Sequence, residues 1–284
     1  MGMNPSISVV IPTFNSSQVL QECIRSIKDQ TFPAKEIIVC DANSSDGTAE
    51  IAMLNGAVVV SARPNRSLQR NTAVLATTST YLLFVDSDMQ LTETVLEECV
   101  LGMEEGVAGL VVPEYDIGRS YWAKVKGFER TFYKDAWWLQ AARCLRKSDF
   151  MQIRGFDVGL IGPEDWDLDQ RIRELGSVEK IQSSILHNES KIKFKGLIAK
   201  KKHYSNSFGD FQSKHPERFL LCFSKKNRIK LFCSKPLKLI AHPILTAGLI
   251  VLGFAEANSL RTISKNTRIN TTEVPLTQSE NPLK

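Results

Sequence analysis

Tyr81-Leu-Leu-Phe-Val-Asp-Ser-Asp-Met-Gln90 is an apolar run that ends in two carboxylates. Tyr81 to Val85 read as a buried parallel strand, and Asp86 and Asp88 follow at its tip. In an open α/β sheet, ligands bind beyond the carboxyl ends of the strands. Residues two apart on a strand point the same way, so both aspartates are expected to face that crevice. Two such carboxylates repel each other, and a hard divalent cation, Mg²⁺ or Mn²⁺, relieves the repulsion. A cation held this way also suits a diphosphate. The plain alternative is two solvated aspartates in a turn ahead of a helix beginning near Thr92.

Outward from this stretch, the same pattern repeats. Ser6–Pro12, Glu36–Cys40, Ala57–Val60 and Val107–Pro113 read as further strands. Between them, Val19, Leu20, Cys23, Ile24 and Ile27 recur at helical spacing. Further helices are expected from Asp46, over Ser67–Ala76 and over Thr92–Met103. Strands alternating with short helices give βαβ units and a mostly parallel sheet. The strands are apolar on both faces, as sheets covered on both sides require. No Gly-x-Gly-x-x-Gly follows the first strand and no Walker loop is present, which disfavours a dinucleotide dehydrogenase. Arg119 to Leu139 reads as one aromatic-rich helix whose stripe is either core or an acceptor-binding or membrane-facing wall. Pro163 suits the first turn of a helix whose acids, Glu164, Asp165 and Asp167, favour its positive N-terminal end. Leu168, Ile172 and Leu175 are its expected buried side.

The 284 residues carry a net charge of +5, unevenly distributed. Lys191 to Lys238 contains 14 Lys and Arg against two acids, Asp210 and Glu217. A basic third of this kind suits an anionic partner, whether a membrane surface, a lipid phosphate or nucleic acid, although no nucleic-acid motif is present. Six scattered cysteines without a Cys-x-x-Cys pair fit reduced thiols in a cytosolic setting. The N-terminus lacks the basic and apolar regions of a signal peptide. Leu239–Ala255 has no Lys, Arg, Asp or Glu. Spanning a bilayer takes about 20 apolar residues. This run reads as an interfacial helix or short span, with the preceding basic residues marking the cytoplasmic side, or else as a core helix. From Thr262 the chain is polar and aperiodic, and disorder is expected.

Taken together, the motifs resemble those of a family 2 glycosyltransferase with the GT-A fold. The matching segments are Val10-Ile-Pro-Thr-Phe-Asn15, Ile38-Val-Cys-Asp-Ala-Asn-Ser-Ser-Asp-Gly-Thr48, Arg70-Asn71, Val85-Asp-Ser-Asp88, Arg154-Gly-Phe-Asp157 and Glu164-Asp-Trp-Asp167. The lysine-rich stretch and late apolar helix are similar to a membrane-associated subgroup. The resemblance implies a catalytic domain over 1–190, a basic helical extension over 191–261 and a tail over 262–284. It implies inverting transfer of a sugar from a UDP- or GDP-sugar, with Mn²⁺ or Mg²⁺, to a lipid-linked or glycan acceptor at the cytoplasmic face of a membrane, with no nucleic-acid partner. Pro12, Thr13 and Asn15 would touch the nucleotide, and Asp41 would accept from the base. The family's second acid after Asp41 is replaced by Ala42, which leaves the base open. Arg70 would neutralise phosphate charge, and Asp86 would contact the ribose or the metal. Asp88 would ligate the metal with His187, and Asp165, beside the substrate-side Glu164, would be the general base.

Two other classes compete. A phosphatase that places Asp-x-Asp after a strand would use Asp86 as nucleophile and Asp88 as acid. Its motif usually follows the first strand and continues with Thr or Val, where this chain has Gln90. A non-catalytic module binding nucleotide-sugars or anionic lipids would not need Asp86, Asp88 and Asp165 together.

Overall fold

The computed structural model describes residues 5–188 and 192–266. Its strands are β1 (Ile7–Thr13), β2 (Glu36–Asp41), β3 (Val58–Ser61), β4 (Tyr81–Phe84), β5 (Met89–Leu91), β6 (Val107–Val111), β7 (Glu114–Asp116), β8 (Cys144–Arg146), β9 (Ser177–Lys180) and β10 (Ile185–His187). Helices α1 (Leu20–Lys28), α2 (Thr48–Leu54), α3 (Arg66–Leu75) and α4 (Val95–Gly102) connect the early strands. Then come α5 (Tyr121–Arg130), α6 (Lys147–Gln152) and α7 (Glu164–Ile172). The C-terminal part is helical: α8 (Phe194–Tyr204), α9 (Phe208–Lys214), α10 (Pro216–Phe223), α11 (Lys225–Cys233), α12 (Pro236–Ala241) and α13 (Pro243–Asn266).

Seven strands form the central sheet in the order β3-β2-β1-β4-β8-β6-β9. All neighbours are parallel except β8, which runs antiparallel to both β4 and β6. Alternation along β1 feeds two cores. Val9 and Ile11 pack with Ile24 and Leu96 on one face, while Val10 packs with Phe84, Val74 and Leu168 on the other. This is why the early strands are apolar throughout. A small second sheet, β5-β10-β7, stands beyond the tip of β4. None of its strands was expected, because three residues show no periodicity.

The aromatic stretch departs from the single helix expected over Arg119–Leu139. α5 stops at Arg130, and two short 3₁₀ turns, Tyr133–Asp135 and Trp137–Leu139, follow. Thr131 turns its hydroxyl back to the carbonyl of Phe128, and Gln140 donates to the carbonyls of Tyr133 and Lys134. Side chains that satisfy main-chain groups locally compete with helix continuation. Leu168 and Ile172 are buried as expected, but Leu175 is not, because α7 ends before it.

The C-terminal helices share a core with α5: Val125, Phe128 and Phe132 pack against Leu197, Leu249 and Leu252. Contact is close enough that a Cβ on Gly248 would lie 2.4 Å from the Tyr121 hydroxyl. Part of the basic charge of this third meets acids of the preceding part of the chain. Arg218 pairs with Asp169 at 2.6 Å, His215 with Asp167 at 2.8 Å and Arg228 with Glu129 at 3.3 Å. No helix among the described residues is long and apolar enough to cross a membrane. α13 runs through Asn266, into the stretch expected to be disordered from Thr262. The rest of that expected tail lies outside the described residues. The six cysteines are unpaired, five of them buried.

Glu129 anchors this interface through Lys126, Arg228 and the Tyr133 hydroxyl. Burial pushes its pKa up, but Lys126 and Arg228 outweigh burial and bring it down to about 2 from 4.5. A depressed carboxylate stabilises above its unfolded pKa and loses that contribution as pH falls through the folded one. Stability is therefore expected to drop between about pH 5 and pH 2. Glu129→Gln should cost about 3–5 kcal/mol at neutral pH and show a shallower acid dependence. Urea unfolding of both proteins at pH 7 and pH 4 checks this.

Candidate active site

The tips of β1 and β2 are zipped into one pocket wall. The Thr13 hydroxyl donates to Asp41 at 3.0 Å, and Asp41 also accepts from the Ser44 amide at 2.8 Å. Asn15, at a positive φ of 49°, accepts from the Ser45 amide at 3.0 Å, while its own amide donates to Ser44 Oγ. Asn43 also has positive φ. Asparagine tolerates this left-handed region better than most residues, so both turns are sequence-encoded. Pro12 and Thr13 are buried, whereas Phe14 between them and Asn15 is exposed.

α3 supplies the centre. Asn65 caps it, accepting from the Leu68 amide at 2.9 Å. Arg66 and Arg70 then lie one turn apart on one face. Arg70 is fully buried and bridges two carboxylates, donating at 2.7 Å to Asp86 and at 2.7 Å to Asp165. Its guanidinium carbon lies 4.9 Å from the centre of the Phe156 ring. Phe156 is fixed in turn by Asn71, whose side chain bonds both its amide and its carbonyl. Arg66 bonds Glu164 at 2.9 Å and reaches within 3.9 Å of Asp86. Arg143, just ahead of β8, also comes within 4.0 Å of Asp86. Burial pushes the Asp86 pKa up, but Arg70, Arg66 and Arg143 outweigh it and hold Asp86 well below the usual carboxylate range. Glu164 goes the other way. Burial raises it and Asp165 adds to the rise, against the pull of Arg66. Both Glu164 oxygens are engaged, one by Arg66 and one by the Gly162 amide. Gly162 is obligatory there: φ is 103°, and a Cβ would sit 2.5 Å from the Tyr204 ring.

The small sheet brings His187 to Asp88. In register, His187 pairs with Met89 on β5 and with Asp116 on β7. The Asn188 amide donates to the Asp88 carbonyl at 2.9 Å. His187 Nε2 consequently lies 3.2 Å from Asp88 Oδ2, and its Nδ1 lies 3.8 Å from Asp116. Arg130 ties this sheet down through Glu114 at 2.7 Å and Asp116 at 3.2 Å. Among the described residues, no three His, Cys, Asp or Glu side chains converge to hold a metal ion. Asp88 with His187 is a two-ligand donor set. It fits a divalent ion that takes its other ligands from a diphosphate and water, as Mg²⁺ commonly does.

Residues 8–156 match the model of Glycosyl transferase family 2. The chain belongs to this family. It is 31% identical over 120 residues to glycosyltransferase GlyG of Streptococcus pneumoniae, covering 40% of each chain. It is 31% identical over 129 residues to the poly(ribitol-phosphate) beta-glucosyltransferase of Bacillus spizizenii, covering 38% of this chain and 20% of that one. The matches thus span well under two thirds of those relatives' lengths. Among solved structures, the mannosyltransferase PcManGT of Pyrobaculum calidifontis, in complex with GDP-Man and Mn²⁺, superposes with a TM-score of 0.57 at 17% identity. That likeness covers 95% of this chain and 77% of the other. The fold is GT-A.

Within the transferase, several expected roles shift. Arg70 was expected to face phosphate, but it is buried and both terminal nitrogens serve carboxylates. Arg66, one turn earlier and a third exposed, adds positive charge at the rim but is itself engaged by Glu164 and the Tyr204 hydroxyl. Asp86 was expected to contact the ribose or the metal that Asp88 binds. The β4 strand ends at Phe84, and a turn closed by the Met89 amide on the Asp86 carbonyl separates the two aspartates. Strand alternation does not apply in that turn, and Arg70, Arg66 and Arg143 already relieve the charge of Asp86. The same cage leaves Asp86 ill-suited to the nucleophile role of the phosphatase reading. Pro12 is enclosed in β1, and Thr13 acts through Asp41. Arg66, Glu114, Asp116, Arg130 and Arg143 were missed. The i, i+4 spacing of Arg66 and Arg70, and the alternate acids of Glu114-Tyr-Asp116 after a strand, were readable signals. Arg143 carried none.

Proposed function

We propose that this transferase moves a hexose, with inversion, from a UDP- or GDP-sugar to a lipid-linked or other glycan acceptor, assisted by Mn²⁺ or Mg²⁺. The observation that carries this reading is the Arg70 bridge. It holds Asp165 beside the strand-tip aspartates, where a donor on the Thr13–Asp41 wall would present its anomeric carbon. Asp165 keeps one oxygen on Arg70 and is a third exposed, so its other oxygen can take the proton of an acceptor hydroxyl. The new glycosidic bond forms as the bond to the nucleoside diphosphate breaks on the opposite face. Asp88 and His187 are the residues that would hold the ion, which supplies positive charge to the leaving diphosphate. Arg66 is placed to add to that charge. The Mn²⁺ and GDP-Man of the Pyrobaculum mannosyltransferase, and the polyol-phosphate polymer named for the Bacillus relative, support the donor and acceptor classes.

Membrane association at the cytoplasmic face belongs to the same proposal. Leu237, Ile240, Ile244, Val251 and Phe254 are exposed at spacings of three, four, seven and three residues. They make an outward apolar stripe along α12 and α13, although His242 interrupts the helix. The exposed Lys225, Lys226 and Lys230 of α11 precede it. An apolar stripe next to lysines suits an interfacial helix on an anionic leaflet.

The test is transfer of labelled sugar from UDP- and GDP-sugars into a membrane lipid extract, with Mn²⁺, with Mg²⁺ and with EDTA. Label should enter the organic phase only with metal. Asp88→Ala should abolish transfer and weaken nucleotide-sugar binding. Full activity in that variant would sink the metal role.

A further inference from the structure

A cavity of about 780 Å³ opens beside the site and extends away from it. Its lining includes Glu114, Asp116 and Arg130, the group that braces His187. Trp166, next to Asp165 in the chain, lines it too. Phe128 and Leu245 from the α5–α13 contact give it an apolar wall. Lys134, Lys180 and Lys238 line it as well. Lys180 donates to the Lys134 carbonyl at 2.9 Å, and Lys238 lies 5.3 Å from the centre of the Phe132 ring. Among the described residues, none of these three lysines forms an ion pair. Asp135, the carboxylate in their field, is already paired with Lys235 at 2.9 Å.

Cations brought together without their own counter-charge are electrostatically costly, and an anion relieves that cost. Burial and the charges of Lys235 and Lys134 both push the Lys238 pKa down, the mark of this crowding. The cavity therefore combines unpaired lysines, an apolar wall and the group that braces His187. Resting on the glycosyl-transfer reading above, we infer that Lys134, Lys180 and Lys238 form a phosphate-recognition subsite for the acceptor. The acceptor is then a phosphate-bearing molecule whose reacting hydroxyl lies toward Asp165 while its phosphate rests on the lysines. A lipid-linked phosphate and a polyol-phosphate oligomer share this chemistry.

The experiment is fluorescence anisotropy on the full chain with two labelled probes, a prenyl phosphate and a ribitol-phosphate oligomer. Each is compared with its phosphate-free counterpart. Charge-assisted hydrogen bonds from lysines should make a phosphate probe bind about 10- to 100-fold tighter. The triple variant Lys134→Gln, Lys180→Gln, Lys238→Gln should erase that preference. Preference in the prenyl arm alone assigns a lipid source, and preference in the oligomer arm alone assigns a polymer. Equal binding of phosphate and phosphate-free probes, or an undiminished preference in the triple variant, overturns the inference. Nucleotide-sugar binding is measured on the same samples. Intact donor binding without phosphate preference rejects the subsite only, whereas loss of donor binding in the unmodified chain rejects the glycosyl-transfer reading itself. Donor binding by the triple variant also verifies that it is folded.

Discussion

Arg70→Met is expected to lose both stability and activity, and the two losses should separate in a double variant. Methionine fills similar space but leaves Asp86 enclosed without its nearest counterion. Removing one partner of a buried pair costs about 3–5 kcal/mol. Arg66 and Arg143, at 3.9 and 4.0 Å, retain part of the compensation, which favours the lower end. Even that is a large share of the roughly 5–15 kcal/mol that holds a typical protein folded. Adding Asp86→Asn removes the stranded charge, so the double variant should recover most of the stability. The coupling between the two sites is the quantity to measure, by urea unfolding of the four proteins in the cycle. Activity should stay low in the double variant, because Asp165 has also lost its only bond among the described residues. A double variant no more stable than Arg70→Met would show that Arg70 contributes by packing on Phe156 rather than by charge.

This hub also marks the limit of what the chain discloses before it folds. β1, β2 and β4, the helices between them and the crevice at their tips were legible, because long apolar runs with regular helical spacing leave little choice. The motif residues were legible as a set, and Asp41, Asp88, Asp165 and His187 do gather near the strand tips. What could not be read was which partner each would choose. Arg70 faces carboxylates from two other segments, 16 and 95 positions away, and no local pattern encodes such a choice. The small sheet was equally hidden: three-residue strands carry too little periodicity, yet their register alone carries His187 to Asp88. The end of α5 was misread because Thr131 and Gln140 satisfy carbonyls through contacts that propensity does not register. The basic third was read as a surface for an outside anion. Part of it is the counter-charge of Asp167, Asp169 and Glu129, and the surplus is what remains on α11 and around the cavity.

Asp165→Asn should lower the turnover rate by about 10²–10⁴ while leaving the donor KM within a small factor. Loss confined to turnover is the sign of an interaction made in the transition state. Asparagine can still accept from Arg70, so the variant removes the proton acceptor and keeps the bridge. Glu164 is the neighbouring candidate, and its environment argues against it. Burial raises its pKa, which suits a base in principle, but the side chain is almost fully enclosed and both oxygens are already bonded. Asp165 is the more exposed of the two and has an oxygen to spare. Glu164→Gln should therefore weaken the loop at Gly162 and lower stability more than turnover. The acceptor supplies a second check. A hydroxyl must lose its proton during attack, whereas a phosphate oxygen is already ionised at neutral pH. If the nucleophile is a sugar or polyol hydroxyl, the Asp165→Asn deficit should persist across hydroxyl acceptors. If the nucleophile is a phosphate oxygen, the variant should retain most of its turnover on that acceptor, and Asp165 would act by steering rather than by taking a proton. Single-turnover rates on one acceptor of each kind decide between the two.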